Sequence, residues 1–286
     1  MSTVRVLRTA KATLSRSFFL DEIEESATGP VMVSASRLDG TPVDSREAVA
    51  DGSGGYAYDF PGLDVLDHLV VSWSLTIGGD AMVLDQDRIE VVGGFYFSLV
   101  EGRDVDRVLK DPVKFPTDKL IEKRTEAEDE CERITGQAWV PRFCREVVSG
   151  YGQRAIPLQW PNVRAVRAVS VAGVAYAPSV VAGLGVTNSG LLIREAGWPD
   201  LREQIVVEYE HGHDVPNSEI RRAAKIRFKS LLLEGAAALP DSAERRITVD
   251  ANGGSTVYGS PTAEKTGIPS VDAIYGRYAD SRPGFG

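Results

Sequence analysis

Two of the chain's three histidines stand one residue apart in the stretch EHGHD, residues 210–214. In an extended strand His211 and His213 would face the same side, because side chains alternate along a strand. With Glu210 or Asp214 they would offer three ligands of the types that zinc takes in hydrolases. One hypothesis is therefore a metal-dependent hydrolase built on these four residues.

The same stretch also meets the backbone requirements of a turn between a strand and a helix. Gly212 can break a strand, Pro216 cannot extend a strand ladder, and Asn217 can cap the first turn of a helix. The remaining histidine, His68, lies in the other half of the chain and is no nearby ligand. The turn is the simpler interpretation, and we expect neither a metal nor another cofactor.

Other catalytic templates are missing from the sequence. It has no Gly-x-Ser-x-Gly elbow, no phosphate-binding glycine loop and no His-Glu-x-x-His motif. Cys131 and Cys144 lie 13 residues apart, which suits two buried thiols better than a disulfide framework or a zinc site. The sequence therefore predicts a protein that is not an enzyme.

The charge is distributed unevenly along the chain. Residues 1–100 carry 7 Lys and Arg against 15 Asp and Glu, whereas residues 101–286 carry 25 against 26. This asymmetry indicates two modules. It also argues against a protein that grips nucleic acid, because phosphate binding depends on clustered Lys and Arg. No apolar run reaches the roughly 18 residues needed to span a bilayer, so we expect no membrane association.

Residues 1–95 predict an all-β domain. Short runs rich in β-branched and aromatic residues alternate with turn material such as ATGP, DGTPVD and DGSGG. In LVVSWSLTI, residues 69–77, apolar and polar side chains alternate, which is typical of a half-buried sandwich strand. We expect an immunoglobulin-like β-sandwich at 1–95, followed by a proline-containing linker at 96–116.

Two amphipathic helices of opposite charge are predicted in the rest of the chain. The first is capped by Thr117 and ends at Gly136, with four basic and seven acidic residues between these positions. The second begins after Pro216, and its apolar residues recur at helical spacing: Ile220, Ala223, Ala224, Phe228, Leu231 and Leu232.

The charged faces of the two helices are predicted interfaces, within one subunit or between subunits. The acidic face consists of Glu122, Glu126 and Glu130, and the basic face consists of Arg221, Arg222, Lys225 and Lys229. Exposed ion pairs contribute little stability, so such charges would guide register more than add free energy.

Residues 138–210 predict strands and turns, with Ala172-Gly173 as a hairpin turn. In the module at 117–245 these strands would lie between the two predicted helices, and the fold class is α+β. Residues 246–286 predict an extended C-terminal arm that carries an apolar island. We expect the island to dock on its own subunit or on a neighbour through Ile268, Val271, Ile274, Tyr275 and Tyr278.

A series of landmarks runs through residues 117–286. They are ECERITGQAWVPR, IPLQWPNVRAVRAVSVAGV, an isolated Trp198, VVEYEHGHDVPNSEIRRAAKIRFKSLLLEG and TGIPSVDAIYGRY. In this order and spacing the chain resembles the head-to-tail adaptor (connector) proteins of long-tailed bacteriophages. The N-terminal β-domain is a departure, since a minimal adaptor lacks it. The resemblance implies that the stretch at 206–235 joins a β-insertion to a core helix, which assigns His211 and His213 to a connecting turn.

The resemblance implies a small helical bundle with a β-insertion, assembled as a ring of about twelve subunits. Such a ring would lie in the virion neck, between the portal protein and a stopper or tail-completion protein, after assembly in the host cytoplasm. Genomic DNA would pass through its lumen without sequence-specific binding. The alternative is a tail- or surface-associated module whose β-sandwich binds a glycan or a protein.

Overall fold

The computed structural model describes residues 3–17, 19–20, 23–24, 29–50, 55–77, 80–234, 245–249, 255–259 and 265–279. Within these residues the chain forms an N-terminal β-unit, a helical core and a second β-unit inserted between two core helices. The fold class is α+β, as predicted. The chain positions that the sequence predicted as an extended arm, 246–286, are described only in part.

The N-terminal unit is a β-sandwich. Its strands are β1 (Thr3–Leu7), β2 (Ala12–Ser17), β3 (Phe19–Leu20), β4 (Ile23–Glu24), β5 (Val31–Arg37), β6 (Pro42–Glu47), β7 (Val49–Ala50), β8 (Gly55–Phe60), β9 (Asp67–Ile77) and β10 (Asp80–Val92). A five-stranded sheet, ordered β1-β10-β9-β5-β6, and a three-stranded sheet, β2-β8-β7, share one apolar core. Tyr58 and Trp73 meet edge to face in that core at 6.4 Å between ring centroids.

The alternation read from the sequence of β9 is confirmed. Val71 and Trp73 are fully buried and Leu75 nearly so, while Ser72 and Ser74 between them are partly exposed. The Asp39-Gly40 turn also lies where it was predicted, between β5 and β6, with Gly40 at φ 87°. Strand alternation and turn chemistry therefore located these elements correctly.

The segment predicted as a linker, 96–116, is folded. It contains α1 (Leu99–Arg103) and a 3₁₀ turn (Arg107–Lys110). Four of its large side chains, Tyr96, Phe97, Leu109 and Phe115, are buried in the core that the helices share. A linker keeps such side chains in water, whereas here their burial holds the segment against the helices.

The helical core consists of α2 (Thr117–Thr135), α4 (Ser218–Glu234) and α5 (Pro269–Tyr278), which pack on one another. Helix α2 ends at Gly136 in the predicted left-handed conformation. The predicted cap at Thr117 is wrong: Pro116 is the N-cap and supplies no side-chain hydrogen bond. The predicted cap of α4 is confirmed, since Asn217 Oδ1 accepts a hydrogen bond from the Ile220 amide at 2.8 Å.

The inserted β-unit lies between α2 and α4 in sequence. Its elements are β11 (Arg142–Gly150), β12 (Ala155–Pro157), β13 (Val163–Val171), β14 (Val174–Ala175), α3 (Pro178–Ala182), β15 (Gly185–Val186), β16 (Leu191–Ile193) and β17 (Leu201–His211). The larger sheet is ordered β11-β17-β13-β14 and the smaller one β12-β16-β15. Ala172 and Gly173, both at positive φ, form the predicted hairpin turn between β13 and β14. A further hairpin, β18 (Arg245–Val249) with β19 (Ser255–Gly259), lies between α4 and α5 in sequence.

Candidate functional site

The passage from β17 to α4 separates the two histidines that the metal hypothesis requires. The His211 ring stacks on Trp160 with the ring centroids 5.0 Å apart, whereas the His213 ring stacks on Trp139 at 4.7 Å. Gly212 lies between them at φ 98°, which interrupts the alternation of the strand. The two imidazoles are therefore packed against different aromatic partners and do not form a pair of ligands.

The carboxylates beside the histidines are held by arginines. Glu210 pairs with Arg167 at 3.5 Å, and Asp214 pairs with Arg164 at 2.7 Å. In the part of the chain that the structure describes, no three His, Cys, Asp or Glu side chains are grouped so that they could hold a metal ion. Residues 212–214 form the connecting turn, which contains His213. The predicted turn position of His211 is wrong, because this residue ends strand β17 and pairs there with Arg142 of β11.

The buried position of His211 makes the stability of the protein depend on pH. Burial, and after it the nearby charge of Arg142, lowers the pKa of His211 to about 3. The unfolded chain therefore binds a proton at His211 near pH 6.5, whereas in the folded chain this imidazole stays neutral until about pH 3. The free energy of unfolding consequently falls as the pH drops from about 6.5 towards about 3. Between about pH 7.5 and pH 5 we expect wild type to lose about 2 kcal/mol more unfolding free energy than His211→Phe. Urea unfolding at both pH values measures this, and equal pH dependence of the two proteins would contradict it.

Gly212 is required by the close approach of the turn to the preceding chain. A Cβ at this position would clash with the Val140 carbonyl oxygen and crowd Ala138. We expect Gly212→Ala to cost about 2 kcal/mol or more, from the positive φ and the clash together. Gly152→Ala is the matched control, because Gly152 also has a positive φ, 76°, but a Cβ added there would meet nothing within 4 Å. Equal costs of the two substitutions in thermal unfolding would show that the clash does not contribute.

Buried charges join the three units of the fold. This charge junction consists of Arg5 from β1, Glu90 from β10, Glu128 and Glu132 from α2, and Arg142 from β11. Arg142 donates to Glu132 at 2.9 Å and to Glu128 at 3.1 Å, and it is 2% exposed. Arg5 donates to Glu90 at 2.6 Å and to Glu128 at 3.3 Å. Each arginine therefore ties a β-unit to the same row of carboxylates on α2.

Two carboxylates of the charge junction respond differently to the same surroundings. Burial raises the pKa of Glu132, and the attraction of Arg142 and Arg5 only partly offsets this. Burial acts on Glu90 as well, but Arg142 and Arg5 outweigh it and hold the pKa of Glu90 well below its usual range. Of these two, Glu132 is thus the carboxylate in which a neutral side chain is tolerated better.

The sequence interpretation missed this junction. One signal was available, since Glu128 and Glu132 are four residues apart and share a face of α2 with other inward-facing side chains. Arg142 stands in an otherwise apolar run, WVPRFC, where an arginine needs a buried partner. The identity of the partners depends on the tertiary fold, because Arg5 and Glu128 are 123 residues apart.

The predicted basic face on α4 is only partly free. Lys225 pairs with Glu101 at 2.9 Å and Lys229 with Asp106 at 2.6 Å, both within the segment 96–116. Arg221 and Arg222 form no ion pair with any described residue. Together with Val105, Pro216, Ser218, Lys225 and Ile226 they line an open groove of about 490 Å³. The positive charge available to a partner on this helix therefore lies at Arg221 and Arg222.

The predicted acidic face on α2 is largely neutralised within the chain. Glu122 and Glu126 are exposed, and both pair with Lys123 on the same helix, at 2.9 and 2.8 Å. Glu130 lies on no free surface: it is buried and pairs with Arg227 of α4. The reason is that Glu130 faces α4 across the helix contact, so it joins α2 to α4 inside the subunit.

The predicted docking island packs on its own chain. Ile268, Val271 and Tyr275 are buried in the core formed with α2 and α4, while Ile274 and Tyr278 are partly buried at its edge. The Tyr278 hydroxyl donates to Glu219 at 2.8 Å, and the Tyr278 carbonyl accepts from Gln137 Nε2 at 2.8 Å. The described end of the predicted arm is thus a docked helix, and contact of the island with another protein stays a prediction.

Neither a protein-family model nor a curated protein sequence matches the chain. Among solved structures, the chain is similar to one from the neck of an empty GTA particle computed with C6 symmetry. The similarity covers 67% of this chain and 93% of that chain, with a TM-score of 0.43 and 16% sequence identity. A likeness of this size assigns neither a family nor a function. No helix in the described ranges is both long and apolar enough to cross a membrane.

Proposed function

We propose that the protein is a structural component of a virion neck, a head-to-tail adaptor that forms a ring below the portal. The observation that carries this proposal is the insertion of a complete β-unit between two helices that pack on each other. This is the arrangement that the landmarks in residues 117–286 imply for an adaptor. The β17–Gly212–α4 passage, which a hydrolase would use for chemistry, serves as the join between the β-unit and the core.

The ring would hold about twelve copies around a channel through which genomic DNA passes. Its neighbours would be the portal protein and a stopper or tail-completion protein. Residues 101–286 are nearly neutral, with 25 basic against 26 acidic residues. A wall without net positive charge suits passage, since clustered Lys and Arg would bind phosphates and retard the DNA.

The N-terminal sandwich, which we propose to be immunoglobulin-like, would be a fixed part of each subunit. The charge junction supports this, because Arg5 reaches from β1 to Glu128 of α2. Residues 96–116 add a second attachment, since their aromatic side chains enter the helical core. An accessory domain held in this way would keep one orientation relative to the ring.

Cryo-electron microscopy of the neck of the particles that contain this protein tests the proposal. The expected result is a rotationally symmetric ring of this chain between the portal and the tail. Necks from mature particles that lack the chain, or turnover of a substrate by the purified protein, would overturn it.

Assembly should depend on the unpaired charge of α4. We expect Arg222→Glu to reduce ring formation, either alone or on the portal, by about tenfold or more, because it reverses the charge that this face would present to a neighbour. Arg222 is exposed, so the monomer should keep its stability. Arg8→Glu is the matched control, an exposed arginine of the sandwich with no ion pair among the described residues. Mass photometry counts the subunits, and equal assembly by the two variants would exclude this face from the contact.

A further inference from the structure

A cleft of about 800 Å³ opens where the sandwich, helix α2 and the inserted β-unit meet. Its lining includes parts of the charge junction, notably Arg142 and Glu132, together with His211 and Trp160. Arg142 and His211 are directly opposite each other on β11 and β17. The cleft is therefore built from three units of the fold and lies apart from the α4 groove.

Two nitrogen atoms on the floor of the cleft lack hydrogen-bond partners among the described residues. Arg142 and His211 are each 2% exposed, and neither Arg142 Nη1 nor His211 Nδ1 has a hydrogen-bond partner within the described part of the protein. Buried polar nitrogens without partners are costly, and they mark places where a ligand or water completes the bonding. The carboxylates of Glu90 and Glu132 also line the floor, so a second anion at this depth would be repelled. The floor is therefore suited to an uncharged acceptor such as a peptide carbonyl oxygen.

The rim of the cleft, unlike the floor, is suited to anions. Arg88 and Arg133 are both exposed there. Arg88 forms no ion pair with any described residue, and the contact of Arg133 with Glu130 is a long one, 3.8 Å. These two guanidinium groups are available to carboxylates, and bidentate Arg–carboxylate pairs are among the stronger polar contacts.

Apolar surface lies between the rim and the floor. Leu38 is 38% exposed, and Trp160 is partly exposed where its ring stacks on His211. A ligand that fits all three layers needs carboxylates outside, apolar side chains between them and backbone carbonyls inside. An acidic, partly apolar peptide has this composition, whereas a DNA duplex is too wide for a cleft of this volume.

We infer that the cleft binds a short acidic segment of a partner protein, with its carboxylates on Arg88 and Arg133 and its backbone on Arg142. This inference is independent of the ring assignment, because it concerns a site inside one subunit. It would give the N-terminal sandwich a role, since β1 and β10 supply one wall of the cleft.

The test uses the full-length protein and a fluorescein-labelled, end-capped hexapeptide in which glutamate and leucine alternate. Fluorescence anisotropy at about 0.1 M salt should show saturable binding. The double variant Arg88→Glu/Arg133→Glu should bind about tenfold more weakly or worse. A peptide with glutamine in place of glutamate should lose a similar factor. Arg202→Glu is the matched control, an exposed arginine outside the cleft lining, and it should stay within about twofold of wild type.

Circular dichroism melting checks that the double variant is folded, and Arg88→Gln/Arg133→Gln replaces it if it is not. Three results would each overturn the inference. They are the absence of saturable binding by wild type, equal binding of the glutamine peptide and the acidic one, and wild-type affinity of the rim variants.

Discussion

Replacing Arg142 by methionine should lower the free energy of unfolding by about 3–5 kcal/mol. The substitution keeps a long apolar side chain but removes the guanidinium that donates to Glu128 and Glu132. Of the two arginines in the charge junction only Arg5 would remain to face the buried carboxylates, and Arg5 is already shared with Asp129. A buried charge without its partner is far more costly than the pair itself is stabilising, which is why the expected loss is large.

Urea unfolding measures this loss, and Arg145→Met provides the matched control. Arg145 lies on the same strand and pairs with Glu208, but the two side chains are 28% and 27% exposed. Because water screens this pair, the control should cost only about 0–1 kcal/mol. A similar cost for both substitutions would mean that the charge junction is hydrated and does not bear on stability.

A second substitution should recover part of the loss. Burial raises the pKa of Glu132 whereas Arg142 and Arg5 hold that of Glu90 low, so Glu132 is the carboxylate to neutralise. We expect Arg142→Met/Glu132→Gln to be about 1 kcal/mol or more stable than Arg142→Met alone. No recovery would show that the lost packing of Arg142, and not the stranded charge, causes the destabilisation.

Sequence patterns correctly predicted those elements whose structure depends on residues that are neighbours in the chain. The alternation in β9, the apolar stripe of α4, the cap at Asn217 and the turn at Ala172-Gly173 each depend on residues within one turn or one pleat of each other. The assignment of His213 to a turn belongs to this class, since it depends on Gly212 and Pro216 nearby, whereas His211 lies at the end of strand β17. These features were predictable because propensity and tertiary packing favour the same structure.

Features that depend on distant parts of the chain were not predictable in the same way. Residues 96–116 were interpreted as a linker because prolines and charges obscure the irregular spacing of Phe97, Leu109 and Phe115. Glu130 was predicted as part of an interface within or between subunits, but its partner Arg227 was not identified because it is 97 residues away. Charge along a helix indicates that acids are present, but only the packing decides which of them face solvent.

Tyr275→Ala should cost the isolated subunit about 3–5 kcal/mol. Tyr275 is fully buried in the core that α5 forms with α2 and α4, so truncation to alanine opens a cavity among side chains of all three helices. Gly276→Ala is the matched control on the same helix, because a Cβ there meets nothing within 4 Å. In a helix this change should leave stability unchanged or raise it by about 0.5–1 kcal/mol.

The effect of Tyr275→Ala on the unfolding free energy of the monomer, compared with its effect on ring assembly, shows whether the apolar island packs within its own subunit or on a neighbour. If α5 is a permanent part of the subunit, Tyr275→Ala lowers the unfolding free energy of dilute monomer, and assembly weakens only as far as folded protein is lost. If the island docks on a neighbour or on the portal, the same substitution leaves the monomer intact and abolishes the ring. The burial of Ile268, Val271 and Tyr275 within one chain favours the first outcome. A stable variant that fails to assemble would instead require α5 to leave this core when the neck forms.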